Sequence, residues 1–416
     1  MSKYVDPKWD YRDSDTKEYT HCFHNYPAMM IPQIARELIS QYGKKASVLF
    51  DPYCGTGTSL VEANLVGIEA IGTDLNPLAR LISRAKTNLV DLTELSRQIG
   101  DYNNHTFEFR MGIRPIPTEG YPDFDNIEYW FDPNVTKLLS IIKEYISKID
   151  NSLIRDFFQT AFSETVRESS WTRNSEFKLY RMSVKQLEKF SPDVFGLMEA
   201  KLARNYKGLV SYLNQKNGNA RSAVYDFNTV DSIPSDLIQP ESIEIIVTSP
   251  PYGDSRTTVA YGQFSRLSNQ WLGIDKANHI DKRLMGGIPN KESVEFDIPY
   301  LDEVIGRIKE KDPKRVTDVT SFYADYLKSI NNVASVVTRG GYVCYVVGNR
   351  RVKGEFIETD EITKSMFENQ GFMHVETIIR NIPNKRMPSR NCPTNLKGNT
   401  DSTMTNEYIV VMQKCS

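Results

Sequence analysis

A glycine-rich turn in the first quarter of the chain combines residue types that suit the binding of a nucleoside. The turn, DPYCGTGT, covers residues 51–58, follows the apolar run 48–50 and precedes a segment with helical spacing. Gly55 and Gly57 let the backbone pass close to a ligand, and the start of the next helix adds partial positive charge. Asp74 ends the next apolar segment, where an acid can accept both hydroxyls of a ribose. The pattern indicates a nucleoside-containing cofactor; a strand–helix turn without a ligand is the alternative.

The residues within the turn distinguish between cofactors. A dinucleotide fingerprint needs a third glycine, but Leu60 stands at that position. A phosphate-binding P-loop needs a lysine after its second glycine, but Thr58 follows directly. Asp51 would repel a pyrophosphate, whereas it suits the ammonium group of an amino-acid-like cofactor. The turn therefore favours S-adenosylmethionine (SAM), and another nucleotide is the less favoured interpretation.

A second segment, TSPPY at residues 248–252, suits chemistry on an amino group. It ends the apolar strand predicted at 242–249, so it lies where ligands bind in open α/β sheets. Its two prolines, Pro250 and Pro251, fix their own φ angles and hold the nearby carbonyl groups rigidly. Ser249 adds a hydroxyl and Tyr252 adds a flat aromatic face.

The chemistry follows from the weakness of the nucleophile. An exocyclic amino group on a nucleobase has its lone pair delocalised into the ring. Fixed acceptors on its N–H bonds favour a tetrahedral nitrogen with a localised lone pair, and a stacked tyrosine holds the base in line with a methyl donor. Such a reaction depends on positioning and charge arrangement more than on a strong base. The segment therefore predicts methyl transfer to a base amino group; a proline turn that only ends a strand is the alternative.

The elements around both segments indicate an α/β sheet that a helical block interrupts. Strands are predicted at 48–50, 68–73, 222–226, 242–249, 341–349, 373–380 and 406–412. Helices are predicted at 27–42, 58–66, 320–337 and 360–370, and within 126–215, whereas 85–125 and 253–317 read as irregular. The order of strands and helices predicts a doubly wound α/β sheet. Residues 1–90 and 218–416 would form a split domain, and 91–217 an inserted, mainly helical domain.

Composition narrows the class of protein. The 416 residues include 51 Lys and Arg against 53 Asp and Glu, so the net charge of −2 gives no direct sign of a polyanion partner. No apolar run approaches the roughly 18–20 residues of a membrane span, and no secretory signal is visible, so we expect a cytoplasmic protein without a membrane partner. The five cysteines are scattered and never spaced C-x-x-C, so neither a metal site nor a disulfide framework is expected.

Clusters of basic residues are the candidates for phosphate contacts. The stretch 167–189 is net basic, with aromatic residues interleaved, and two further clusters lie at 350–353 and 380–390. Any one of these clusters is more often a solvated surface, but together they favour at least one DNA-binding face. The residues selected as DNA contacts are Arg167, Arg173, Lys178, Arg181, Arg256, Lys385 and Arg386.

Taken together, these motifs resemble the amino-methylating DNA methyltransferases, which modify cytosine N4 or adenine N6 with SAM. The resemblance covers roughly 20–90 and 220–416 and implies a Rossmann-like SAM-dependent methyltransferase sheet. The SAM-binding motifs come first, a large block follows, and the catalytic segment comes last. This order resembles the alpha arrangement of the family, in which the intervening block, here 91–217, is the target-recognition domain. The catalytic segment would be Ser249, Pro250, Pro251 and Tyr252. The resemblance implies cofactor contacts from Tyr26, Asp51, Pro52, Tyr53, Gly55, Thr56, Gly57, Thr58, Asp74, Leu75, Asp226, Phe227 and Thr248, with Asp226 near the adenine.

The first residue of the catalytic tetrapeptide bears on the base. Adenine enzymes of the family mostly carry Asp there and cytosine-N4 enzymes mostly Ser, so Ser249 favours cytosine N4. Methylation at carbon 5 of cytosine is not expected, because it needs a cysteine nucleophile, usually in a Pro-Cys pair, and none of the five cysteines follows a proline. We expect a flipped-out cytosine in duplex DNA, S-adenosylhomocysteine as the second product, and a restriction–modification context with a cognate endonuclease. Adenine N6, an RNA base and, in a different class, a nucleotide-dependent oxidoreductase are the alternatives.

Overall fold

A central β-sheet organises the chain in the computed structural model. The structure describes residues 2–117, 121–174, 176–254, 260–274, 279–290, 294–382, 390–391, 401–402 and 405–415. Its strands are β1 (Ser2–Val5), β2 (Val48–Asp51), β3 (Glu69–Thr73), β4 (Ser222–Tyr225), β5 (Ile243–Thr248), β6 (Val337–Val347), β7 (Arg350–Val352), β8 (Glu355–Ile357), β9 (Phe372–Asn381), β10 (Arg390–Asn391), β11 (Asp401–Ser402) and β12 (Asn406–Lys414).

In the described part of the chain, the main sheet has the strand order β1-β9-β12-β6-β5-β2-β3-β4. Neighbouring strands run parallel except at β12, which is antiparallel to both β6 and β9. From β2 the chain proceeds outward through β3 and β4, then returns to β5 and β6 on the other side of β2. The reversal between β2 and β5 is a topological switch point, the place where open α/β sheets bind ligands.

Helices precede, follow and interrupt the strands. They are α1 (Pro32–Tyr42), α2 (Thr58–Leu65), α3 (Pro77–Thr87), α4 (Leu92–Arg110), α5 (Ile127–Trp130), α6 (Pro133–Ser147), α7 (Ser152–Ser169), α8 (Val184–Leu187), α9 (Val194–Gln215), α10 (Tyr261–Trp271), α11 (Ile280–Arg283), α12 (Pro299–Lys311), α13 (Pro313–Val336) and α14 (Thr359–Glu368). Shorter 3-10 turns lie at Pro7–Asp10 and Tyr19–Phe23.

Alternate residues of the central strands pack on opposite faces of the sheet. On β6, Val343 and Tyr345 join a buried cluster with α12, α13 and α14. Cys344 and Val346, which lie between and beyond them, join a cluster with α1 and α2 on the other face. Because both faces are covered, the central strands are continuous apolar runs, and this is the signal that made them predictable.

The helices α4 to α9 lie between α3 and β4 in the chain, and α4, α6, α7 and α9 share one buried cluster with α2 and α3. The cluster joins Tyr102, Phe158 and Leu202 of the block to Val61 of α2 and Ala85 of α3. The predicted fold class, an α/β sheet with an inserted mainly helical segment, is therefore confirmed. The division into 1–90 with 218–416 and 91–217 stays our proposal, since the shared core crosses that boundary.

Some predicted bounds and irregular stretches need correction. The stretch 85–125 contains all of α4, and 253–317 contains α10, α11, α12 and the start of α13. The helix expected at 27–42 begins at Pro32, and the helix expected at 320–337 begins at Pro313. The strand β1, which pairs in parallel with β9, was not predicted.

Candidate active site

A cleft opens at the carboxyl ends of β2, β3 and β5, beside the switch point. Its volume, including the part that is open to solvent, is about 1110 Å³, which is large enough for a nucleotide-sized ligand. The predicted residues that line it are Tyr26, Asp51, Pro52, Tyr53, Gly55, Thr56, Thr58, Asp74, Leu75, Phe227, Ser249 and Pro251. Residues that sequence reasoning did not select also line it, among them Met29, Met30, Asn76, Asn228, Leu284 and Met285.

The glycine turn links the end of β2 to the start of α2. Gly57 is the N-cap of α2 and has a φ angle of 75°, in the left-handed region that favours glycine. A Cβ atom at Gly57 would lie 2.3 Å from the Oγ atom of Ser83 on α3. Gly57 itself does not line the cleft. Close packing between α2 and α3 therefore explains why a glycine stands at this position.

Asp74 follows β3 and holds the turn in place. Its carboxylate accepts hydrogen bonds from the backbone N–H of Gly55 at 3.1 Å and of Asn76 at 2.7 Å. Burial raises the pKa of the Asp74 carboxyl, and the hydrogen bond from Asn76 opposes the rise. The carboxylate thus faces the cleft as an acceptor that its own backbone partners keep in one orientation.

Asp51 ends β2 and is buried beside the catalytic strand. The Oγ1 atom of Thr248, the last residue of β5, donates to Asp51 at 2.5 Å. Burial raises the pKa of the Asp51 carboxyl to about 6, against the hydrogen bonds from Thr248 and from the Tyr53 backbone. Thr248 does not line the cleft. Its role in the structure is to support Asp51.

The wall opposite the glycine turn is aromatic and polar. Tyr26 stacks on Tyr261 of α10, with ring centroids 6.0 Å apart and planes at 18°. The side chain of Asn76 donates to the Tyr26 hydroxyl at 2.8 Å and to Ser265 of α10 at 3.0 Å. Tyr261 lines the same cleft as the predicted cofactor residues.

The catalytic segment follows β5 at the same edge of the sheet. Ser249 and Pro251 line the cleft, whereas Pro250 and Tyr252 are not among its lining residues. The Ser249 hydroxyl donates to the Val346 carbonyl at 3.1 Å and lies 3.2 Å from the hydroxyl of Tyr252. The Tyr252 hydroxyl donates to Glu407 at 3.0 Å, and burial raises the pKa of Tyr252 well above its ordinary value.

Asp226 corrects one prediction. Its side chain is 74% exposed, its nearest charged partner is Arg80 at 3.8 Å, and it does not line the cleft. The next two residues, Phe227 and Asn228, take that place instead. β4 ends at Tyr225, and the side chain of Asp226, the next residue, lies on the surface.

The basic residues selected as DNA contacts have different environments. Arg167 is 5% exposed, because its guanidinium donates to the Phe264 and Glu176 carbonyls and lies 4.2 Å from the Phe264 ring, so it is not a surface cation. Arg173 is exposed and Lys178 is half-buried. Arg181 lies between the rings of Tyr129 and Trp171. Arg256, Lys385 and Arg386 lie outside the described residues.

The expectations of no metal site and no membrane span concern the whole chain, whereas the structure describes part of it. Within the described ranges, no group of three or more His, Cys, Asp or Glu side chains is placed to hold a metal ion. None of the helices described is both long and apolar enough to cross a bilayer.

Comparison with known proteins identifies the family. Residues 2–83 match the family model described as DNA methylase. The type II methyltransferase M.MvaI of Kocuria varians is 41% identical over 424 aligned residues, which cover 96% of this chain and 92% of that protein. The type II methyltransferase M.BsoBI of Geobacillus stearothermophilus is 20% identical and covers 86% of this chain and 79% of its own length. Fold and site thus define a SAM-dependent methyltransferase.

Among solved structures, an rRNA methyltransferase, aviRa of Streptomyces viridochromogenes, aligns over 94% of this chain and 88% of its own, with 10% identity and a TM-score of 0.32. The long alignment to M.MvaI is the comparison that defines the family. The chain belongs to the amino-methylating, SAM-dependent DNA methyltransferases.

Proposed function

We propose that this protein transfers a methyl group from SAM to the N4 amino group of a cytosine flipped out of duplex DNA at a specific site. The observation that carries the proposal is the position of Ser249. Its hydroxyl lies at the cleft, directly after β5, and two carboxylates, Asp51 and Asp74, line the same cleft. This position supports Ser249 as the side chain that contacts the amino group.

The residues of the cleft fit SAM. Asp51 suits the ammonium group of the amino-acid end, and Asp74 suits the ribose hydroxyls. Apolar side chains, Met29, Phe227 and Leu75, supply walls for an adenine ring. The buried Oγ1 atom of Thr56 has no hydrogen-bond partner within the described structure, which leaves it available to a ligand. When bound, SAM supplies a methyl group on a positively charged sulfonium.

The chain's own part in the reaction is to prepare the amino group. A serine hydroxyl has one proton and two acceptor lone pairs. The Ser249 hydroxyl donates its proton to the Val346 carbonyl. The lone pairs of the Ser249 oxygen are therefore available to accept a hydrogen bond from the amino group of the base. Rigid carbonyls of the proline pair supply further acceptors. Together they favour a nitrogen with a localised lone pair, and they stabilise the positive charge that develops on it.

The target base must leave the duplex to reach this site. Tyr252 is the residue that we propose to stack on the flipped base, because it follows the two prolines at the end of β5. Its hydroxyl is neutral in the resting protein, since burial raises its pKa. The ring is therefore an uncharged aromatic face.

The helical block is the proposed DNA-binding and target-recognition part. Arg173 is exposed, and Lys178 and Arg181 are partly exposed on the same stretch. We expect Arg173→Glu with Arg181→Glu to weaken DNA binding and to lower the salt dependence of the binding constant, because phosphate contacts release counterions. Charge reversal at Lys148, the residue that follows α6 and pairs with Glu144, is the control. An unchanged salt slope in the double variant would remove this face from consideration.

We also propose that the protein acts in a restriction–modification system. Site-specific methylation protects a host's own DNA in such a system, so a cognate endonuclease would recognise the same site. Duplex DNA is then the macromolecular partner, and the cytoplasm, where bacterial DNA lies, is the compartment.

Product identification tests the proposal. Purified protein is incubated with SAM and duplex DNA of mixed sequence, and the digested nucleosides are analysed by mass spectrometry. We expect N4-methylcytosine. The adenine product, N6-methyladenine, would retain the mechanism and contradict the inference from Ser249. The absence of both, with SAM bound, would direct the search to RNA.

The variant Ser249→Ala separates catalysis from binding. We expect kcat to fall roughly tenfold to a hundredfold, because a hydrogen bond to a group that becomes charged contributes about 1.5–3 kcal/mol. SAM affinity should stay near that of the wild type. Ser147→Ala is the matched control, since Ser147 on α6 makes a comparable hydrogen bond to a backbone carbonyl far along the chain from the cleft. A loss of SAM affinity alone would assign Ser249 to cofactor binding.

A further inference from the structure

A chain of polar contacts leads from the catalytic segment to the far strands of the sheet. The Tyr252 hydroxyl lies 3.2 Å from Ser249 and donates to Glu407 Oε1 at 3.0 Å. Glu407 is on β12, the strand that separates β6 from β9. Its second carboxylate oxygen, Oε2, pairs with the Nη1 atom of Arg380 on β9.

We infer that Glu407 is a positioning residue for methyl transfer: it holds the Tyr252 hydroxyl and so fixes the ring and the segment that carries Ser249. The inference rests on the proposed function, because the ring is positioned for a flipped base.

Arg380 is itself fixed, so the support does not end at an exposed side chain. It is 4% exposed, and its Nε and Nη2 atoms donate to the backbone carbonyls of Trp9 at 2.7 Å and Asp10 at 3.2 Å. The Asp10 carboxylate accepts the backbone N–H of Asn381 at 2.8 Å. The N-terminal segment and β9 are thus joined around the guanidinium.

The chemistry of the pair suits a rigid anchor. An ionised carboxylate is a stronger acceptor than a neutral oxygen, and a charge-assisted bond is shorter and stronger. One carboxylate oxygen of Glu407 accepts the hydrogen bond from Tyr252, and the other pairs with Arg380. Arg380 therefore holds the carboxylate in the orientation that Tyr252 needs. Because Tyr252 is three residues from Ser249, a fixed hydroxyl limits the movement of the whole tetrapeptide.

A double-mutant cycle tests the inference in the full-length protein. We expect Glu407→Ala and Tyr252→Phe each to lower kcat roughly tenfold, with little change in SAM affinity. If Glu407 acts through the hydroxyl, the double variant should be no worse than the worse single variant. Losses that multiply would overturn the inference, since Glu407 would then act independently of Tyr252.

Conservative and control variants separate positioning from general destabilisation. Glu407→Gln keeps an amide oxygen that can accept the Tyr252 hydroxyl, so it should recover a large part of kcat. An equal loss in Glu407→Gln and Glu407→Ala would contradict positioning through this hydrogen bond. Tyr4→Phe removes a similar Tyr–Glu hydrogen bond of 2.8 Å, to Glu376 on β9, and should leave kcat unchanged.

Amide hydrogen exchange tests the inference without any activity. The amides of Tyr252, Gly253 and Asp254 should exchange faster in Glu407→Ala and in Tyr252→Phe than in the wild type or Tyr4→Phe. If the wild type methylates no DNA but exchange still rises, the proposed function fails and the positioning role stands. Unchanged exchange in both variants would overturn the inference even in an active enzyme.

Discussion

Asp74 combines a structural and a binding role in one carboxylate. It accepts the backbone N–H groups of Gly55 and Asn76 and faces the cleft. We expect Asp74→Ala to raise the dissociation constant of SAM roughly tenfold to a hundredfold, because hydrogen bonds to a charged group contribute about 1.5–3 kcal/mol. Isothermal titration calorimetry measures this change.

Asp226→Ala is the matched control for that prediction. Asp226 also follows a strand at this edge of the sheet, but it is exposed and does not line the cleft. Its replacement should leave SAM affinity unchanged. An equal loss in the two variants would return Asp226 to the cofactor site and contradict the correction drawn from the structure.

We expect Asp51 to make SAM affinity depend on pH. Its pKa is raised to about 6 in the folded protein, so the carboxyl becomes protonated as the pH falls through that value. A neutral carboxyl no longer attracts an ammonium group, so SAM should bind more weakly below about pH 6 than above it. Calorimetry between pH 5 and 8 measures the effect, and Asp51→Asn should remove this step. A step that persists in Asp51→Asn must belong to another group.

At the residue scale, the sequence predicted what lies within a local motif. Asp51 ends β2, and Asp74 and Ser249 directly follow β3 and β5, so their positions follow from strand–turn spacing alone. Glu407 lies 155 positions along the chain from Tyr252, and only the insertion of β12 beside β6 brings it to the site. No local pattern carries that information. The prediction that Arg167 contacts DNA was wrong because its side chain is buried against an aromatic ring and two backbone carbonyls. The composition of a basic stretch does not show which of its basic side chains are buried.

Gly57 shows how one element limits another. An alanine there would adopt a φ of 75° and would place its Cβ 2.3 Å from Ser83 Oγ on α3. We expect Gly57→Ala to lower the free energy of unfolding by about 1–3 kcal/mol, since left-handed strain alone costs of that order. Urea denaturation measures it.

Two companion variants separate strain from crowding at this turn. Gly55 also has a positive φ, of 48°, but a Cβ there would meet no atom within 4 Å. Gly55→Ala should therefore cost less stability than Gly57→Ala. Adding Ser83→Ala to Gly57→Ala should recover part of the loss. If Ser83→Ala recovers nothing, contact with the Ser83 hydroxyl is not the cause.

Elements with weak local signals escaped prediction. α4 contains Gly100, Asn103 and Asn104, which lower helix propensity, and its flank at 111–117 is rich in glycine and proline. Its buried residues, Leu95, Tyr102, Thr106 and Phe109, nevertheless recur at helical spacing, so packing against the other helices stabilises it. β1 has four exposed residues and forms because β9 offers an unpaired edge.

At the scale of the whole molecule, two histidines of the N-terminal segment, His21 and His24, are buried. Both ring nitrogens of His24 are buried without a hydrogen-bond partner in the described structure, and the ring packs near Tyr26 and Phe264. Burial lowers the pKa of His24 and of His21 to about 4. The unfolded chain binds these protons near pH 6.5, so stability should fall as the pH decreases from 6.5 towards 4.

The variant His24→Phe tests this acid sensitivity. It keeps an aromatic ring in the same apolar site and removes one titrating group. We expect the loss of stability between pH 7 and pH 5 to be smaller than in the wild type, measured as the shift of the urea midpoint. An identical pH dependence in both proteins would show that His24 does not contribute.

The position of β12 has a consequence for how the protein is made. The strand enters between β6 and β9, both of which precede it in the chain. Until residues 406–414 have left the ribosome, the edges of β6 and β9 that face each other lack their partner, and unpaired edges are sites of aggregation. Glu407 arrives with the same strand. A nascent chain therefore cannot have the supported catalytic segment, and translation that stops before residue 406 should give an aggregation-prone product that does not modify DNA.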